Sequence, residues 1–129
     1  MTDNHNTSSK IENIINDIDQ QGWSVQKDFF PSELIRDLNQ TLDSFRKQGK
    51  LNQAGIGRKQ GFHIEQSIRN DEISWFDEAS LTGAQKKYLA LAKELQDEIN
   101  QRFYLGLFEL EVHFALYSPN AFYKRHLDQ

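Results

Sequence analysis

The hydrophobic period of this chain changes once near its end, and that change restricts the fold more than any other feature. From Gly83 to Phe103, Tyr88, Leu91, Leu95, Ile99 and Phe103 recur at helical spacing. After Gly106 the period drops to two, with Leu110, Val112, Phe114 and Leu116 alternating with Glu111, His113, Ala115 and Tyr117. A long helix followed at once by a strand requires a mixed architecture, so the predicted class is α+β. Large or specialised groups on both faces of 110–117 predict a strand buried on both sides.

Two further helices precede this pair. Ser9 and Glu12 have the spacing of a capping box, and Ile11, Ile14, Ile15 and Ile18 follow at helical period until Gly22, which predicts a helix over 10–21. Trp23 and Val25 alternate with Ser24 and Gln26, the pattern of a short strand. Pro31 suits a helix start, and Leu34, Leu38, Leu42 and Phe45 form one stripe that ends at Gly49.

Between 50 and 70 the periodicity fails, and Gly55, Gly57 and Gly61 mark an irregular or hairpin-like connection. Their spacing does not match a dinucleotide-binding loop. Residues 68–76 read as a strand. Lys93 and Asp97 are placed for an i,i+4 ion pair on the third helix. Ser118-Pro119-Asn120 is a turn signal, after which 121–128 is expected to run back as the hairpin partner of the preceding strand.

Composition removes several function classes. At 129 residues with 37% apolar content, one domain over 1–129 is expected, with the polar residues 1–9 disordered. A net charge of -4 gives no electrostatic ground for a nucleic-acid partner or an anionic membrane. No run approaches a membrane span and no leader-like apolar segment opens the chain, so a cytoplasmic location is expected. Without cysteine, any transition-metal site must use imidazole and carboxylate.

Such a pair stands at His126-Leu127-Asp128. On a strand, residues two apart share a face about 6.6 Å apart, close enough for one metal to bridge. A His-x-Asp pair with a distant second His makes the facial triad of non-haem Fe(II) oxygenases, in which three coordination positions stay open. The tripeptide alone is common by chance, and its neighbours give it weight.

The stretch His113-Phe-Ala-Leu-Tyr117-Ser-Pro-Asn-Ala-Phe-Tyr123-Lys-Arg-His126-Leu-Asp128-Gln129 resembles the start of the double-stranded β-helix in the prolyl 4-hydroxylase group of 2-oxoglutarate/Fe(II) dioxygenases. Gly55-Ile-Gly57-Arg58 and Ile68-Arg69-Asn70-Asp71-Glu72-Ile73-Ser74-Trp75 resemble the segment preceding that core in the prolyl-hydroxylase-domain subgroup. Nearly all of the chain after Trp23 is covered.

The resemblance implies helices flanking the first strands of a jelly roll. It implies that His126 and Asp128 bind iron, that Tyr117 faces inward to hydrogen-bond 2-oxoglutarate, and that Tyr123 and Asp71 sit at the mouth. The reaction implied is hydroxylation of a prolyl residue in a protein or peptide, with 2-oxoglutarate converted to succinate and carbon dioxide and L-ascorbate keeping the iron reduced. The family's distal iron-binding His and its carboxylate-binding Arg have no counterpart in this sequence. A C-terminally truncated domain is therefore expected, short of roughly 60 to 80 residues, with an incomplete barrel and an inactive isolated chain. The alternative is a non-catalytic remnant or interaction module of the same ancestry. His113 shares the Tyr117 face and is expected as a packed histidine rather than a ligand. Asp71 beside Arg69 reads equally well as a local solvated pair.

Overall fold

The computed structural model describes residues 3–57 and 59–128; Arg58 and Gln129 of the motifs quoted above lie outside them. It is an α+β structure with three α-helices, α1 (Asp3–Gln21), α2 (Ser32–Lys47) and α3 (Gly83–Phe103). The three strands are β1 (Asn52–Gln53), β2 (Glu72–Trp75) and β3 (His113–Leu116). The chain divides into two compact units, Met1–Asn39 with Thr82–Leu110, and Gln40–Leu81 with Glu111–Gln129.

The first unit is helical. α3 has the predicted bounds, and its start is locked by a capping box in which the Thr82 hydroxyl accepts from the Gln85 amide and the Gln85 side chain accepts from the Thr82 amide. Lys93 and Asp97 form the expected pair at 2.9 Å. α1 begins at Asp3, well ahead of the predicted start at Lys10 and within the stretch expected to be disordered. Ser9 is therefore interior to the helix and does not cap it. Ile11 and Ile15 are buried on α1, and Arg102 of α3 pairs with Glu12. An open, largely apolar cleft of about 610 Å³ is lined by Ile14, Ile18, Phe30, Tyr88, Leu95 and Ile99 among others.

The predicted strand at 23–26 is absent, and its alternation is inverted. Trp23 and Val25 face solvent, while Ser24 and Gln26 turn inward to donate to the Asp17 carboxylate at 2.7 and 3.2 Å. One carboxylate near the end of α1 thus captures the polar side of the segment.

The second unit contains an open antiparallel sheet in the order β1-β2-β3. The predicted strand at 68–76 is confined to Glu72–Trp75, paired through Glu72↔Leu116, Ile73↔Ala115, Ser74↔Phe114 and Trp75↔His113. One face carries Phe114, which meets Phe45 of α2 edge-on at 5.9 Å and Phe76 at 5.0 Å. The other face carries Ile73, Trp75, His113 and Ala115. Of these, His113 and Ala115 are exposed, which corrects the reading of β3 as buried on both sides. His113 rests edge-on against Trp75 at 4.8 Å and is not packed in a core.

α2 ends as predicted at Gly49. The Gly49 amide donates to the Arg46 carbonyl and the Lys50 amide to the Phe45 carbonyl, the double closure of a Schellman motif around a residue at φ 70. The region after 50 is hairpin-like as expected, with Ile56 and His63 exchanging backbone hydrogen bonds at 2.8 and 2.9 Å.

The turn at 118–120 forms, closed by the Ala121 amide on the Ser118 carbonyl at 2.8 Å with Asn120 at φ 68. The chain beyond it does not return along β3. Residues 122–124 instead pair with 68–70 through the Arg69↔Tyr123 bridge, flanked by Asn70 N to Phe122 O at 3.1 Å and Lys124 N to Ile68 O at 2.8 Å. The Asn70 side-chain oxygen also accepts from the Phe122 amide at 2.7 Å, so one side chain selects this partner over β3.

Candidate functional site

The register of β2 on β3 assembles the site. Continuing the pairing one step beyond Glu72↔Leu116 sets Asp71 opposite Tyr117 on the face that carries Ile73 and Ala115. The negative charge of Asp71 acts on the Tyr117 phenol and favours its neutral form.

Asp71 is completely buried, and Arg69 clamps it. Nε donates to Oδ1 at 2.8 Å and Nη2 to Oδ2 at 2.7 Å, while Nη1 reaches the Gly55 carbonyl at 3.3 Å. The Asp71 amide group is held too, since its carbonyl accepts from Ala54 N at 3.0 Å. The guanidinium hydrogen bonds keep the Asp71 carboxyl below the usual carboxylate range, against the opposing effect of burial. Arg69 is raised in turn by its bonds to Asp71. Burial, then the negative charge of Asp71, pushes the Tyr117 phenol above its ordinary value.

Two expectations about Asp71 change here. The pair with Arg69 exists but is not solvated, and a carboxylate with no solvent-accessible surface is not a mouth residue. Sequence reasoning passed over Arg69 because charged neighbours two residues apart ordinarily read as a solvated pair. The usable signal was that an Arg and an Asp at that spacing on an extended segment share one face.

The bridge to residue 123 sets the Tyr123 ring over the guanidinium, with Cζ 4.0 Å from the ring centroid. The same ring stacks on the His126 imidazole at 3.5 Å between centroids and 8° between planes. His126 Nδ1 lies 2.7 Å from the Lys124 carbonyl, a contact in which Nδ1–H donates, so that in the neutral ring the lone pair is on Nε2. Nε2 stands 3.3 Å from Asp128 Oδ1. The predicted strand at this position is absent, yet the two donor atoms converge.

The donor set fits a divalent metal. Two donors about 2.1 Å from one ion and at right angles are about 3 Å apart, close to this separation. The Asp128 side chain is fully exposed and that of His126 is 37% exposed, so the donor side is open. Among the described residues, no cluster of three His, Cys, Asp or Glu could enclose an ion. Tyr117, at 47% exposure, is reachable from solvent. No described helix is long and apolar enough to cross a membrane.

No family model and no curated protein matches the sequence. Among solved structures, the chain is similar to a prolyl-4-hydroxylase from Pseudomonas putida, with 39% identity and a TM-score of 0.82. The fold is prolyl-4-hydroxylase-like. The match covers 92% of this chain and 61% of that one, so the chain spans about three fifths of the length of its neighbour.

Proposed function

We propose that this chain belongs to an Fe(II)- and 2-oxoglutarate-dependent dioxygenase that hydroxylates a prolyl residue in a protein or peptide. Its strands would be the first of a double-stranded β-helix. His126 Nε2 and Asp128 Oδ1 would supply two metal ligands, and Tyr117 would hydrogen-bond the co-substrate. Iron, 2-oxoglutarate and dioxygen together would supply the oxidation of an unactivated C–H bond to an alcohol, one oxygen atom entering the alcohol and the other the succinate formed as 2-oxoglutarate loses carbon dioxide, with L-ascorbate keeping the metal reduced.

The observation that carries this reading is the convergence of Nε2 and Oδ1 at 3.3 Å while Nδ1 faces a carbonyl. In the neutral ring the Lys124 carbonyl favours the tautomer whose lone pair is on the nitrogen facing Asp128. Tyr117 keeps its proton to higher pH than an ordinary tyrosine, which preserves its donor capacity toward a carboxylate. The 39% identity to a prolyl-4-hydroxylase supports the reaction class and the proline-containing substrate.

Anaerobic titration with Fe(II) and 2-oxoglutarate tests the proposal. The expected result is the visible charge-transfer band of the chelate, saturable, and lost in both His126→Ala and Asp128→Ala. A parent chain without the band, or a band indifferent to both substitutions, refutes it.

A further inference from the structure

We infer that Arg69 is a positioning residue: its anchored guanidinium sets the plane of the Tyr123 ring, and the stacked ring sets the plane of the His126 imidazole. The inference rests on the proposed role of His126 as a ligand and extends it to a residue that would touch neither metal nor substrate.

The argument begins with the guanidinium. All three of its nitrogens are engaged, Nε and Nη2 by the two Asp71 oxygens and Nη1 by the Gly55 carbonyl. The carboxylate is buried, and the Arg69 side chain is only 12% exposed. A planar group tied at three corners in its own plane has lost its rotational freedom. Its position is thereby fixed, and its Cζ lies over the Tyr123 ring, 4.0 Å from the centroid.

Tyr123 cannot slide away from the guanidinium, because its backbone is bridged to that of Arg69. Its other partner is the His126 imidazole, stacked nearly parallel at 8°. A histidine ring turns about two side-chain torsions. The stack restricts the ring plane, and the Nδ1 contact with the Lys124 carbonyl selects which edge faces outward. Together they aim Nε2 at the space beside Asp128 Oδ1. Lysine could keep the charge at 69 but could neither grip two oxygens in one plane nor offer a flat face.

A purely structural ion pair would stabilise the chain without affecting His126, and the test separates the two roles. In the metal-free protein, the His126 ring protons, assigned by their loss in His126→Gln, are expected to resonate upfield under the Tyr123 ring. Arg69→Lys, Arg69→Met and Tyr123→Leu should remove that displacement, whereas Tyr123→Phe should keep it. In parallel, Co(II) affinity should fall at least about tenfold in Arg69→Met and Tyr123→Leu and be largely retained in Tyr123→Phe, in keeping with the loss of an outer-shell support. Backbone amide spectra of β2 and β3 serve as the fold control. If Arg69→Met fails to fold, Tyr123→Leu and Arg69→Lys carry the test.

Unmoved His126 resonances and parental Co(II) affinity in the folded variants overturn the inference. If the parent chain binds no Co(II) but the resonances move as described, the metal reading of His126 fails while the positioning by Arg69 stands.

Discussion

Arg69 and Asp71 meet through two parallel hydrogen bonds, Nε to Oδ1 at 2.8 Å and Nη2 to Oδ2 at 2.7 Å, around a carboxylate without solvent exposure. Removing one member of such a pair strands the other charge in a poorly hydrated place, which costs about 3 to 5 kcal/mol for a fully buried pair. Arg69 retains slight exposure, so the lower end applies, and Arg69→Met is expected to destabilise the chain by about 3 kcal/mol in urea denaturation. The surface pair of Arg46 with Asp43 at 2.8 Å offers the contrast, since solvated helix-surface pairs contribute little. Equal midpoint shifts for Arg69→Met and Arg46→Met would show that burial of the Arg69 pair is energetically irrelevant.

The same pair predicts a defined loss of stability in acid. Asp71 has a folded pKa depressed below its ordinary value of 3.8 by the Arg69 hydrogen bonds, so its contribution is complete above that value. It is lost as pH falls below 3.8 and through the depressed folded value, because only the unfolded chain binds the proton readily. Urea midpoints measured between pH 6 and 2 should therefore decline most steeply in the lowest part of the range. Asp71→Asn should flatten that part of the curve. An unchanged slope in the variant would assign the acid sensitivity to other carboxylates.

Tyr117 gives the opposite sign. Burial and the Asp71 charge raise its folded pKa above 10.0, so the folded state favours the neutral phenol, and that contribution is present below 10.0 and lost as pH rises beyond it. Of the four tyrosines, Tyr117 should ionise above the ordinary range when phenolate absorbance is followed in the alkaline region. Asp71→Asn should bring it partly back, since burial, the largest raising effect, remains. A Tyr117 resonance that titrates at its ordinary value in the parent chain would contradict the effect of burial and of the Asp71 charge on the phenol.

How far the sequence disclosed this structure depends on the range over which each element is decided. α3 was legible to the residue because five apolar residues at helical period and a sharp start at Gly83 are local features. The end of α2 was legible because Gly49 supplies the left-handed position that a Schellman closure needs. The pairing of 122–124 with 68–70 was not, since it hangs on the Asn70 side chain meeting an amide fifty-two residues away. Ser24 and Gln26 misled for a similar reason, as the acceptor that draws them inward is Asp17. Within the candidate site, His126 and Asp128 were singled out by a spacing that is common by chance and that gained weight only from the resemblance of its flanking residues to the prolyl 4-hydroxylase group. The burial of Asp71 escaped notice because it depends on β1, on β3 and on the loop carbonyl of Gly55, none of which is near it in sequence.

That loop leads to a final prediction. Gly57 sits at φ 82, and a Cβ added there would collide with the backbone oxygen of Gly61. Any substitution therefore meets two penalties, the strain of the left-handed conformation and a clash with main chain that cannot swing aside. The hairpin it closes carries the Gly55 carbonyl that receives Arg69 Nη1 at 3.3 Å. Gly57→Ala should thus destabilise the chain by roughly 1 to 3 kcal/mol and loosen one of the three anchors of the guanidinium. Gly61, with open space where its Cβ would stand, is the internal control, and Gly61→Ala should leave the urea midpoint nearly unchanged. If the two alanine variants behave alike, the hairpin does not constrain Arg69.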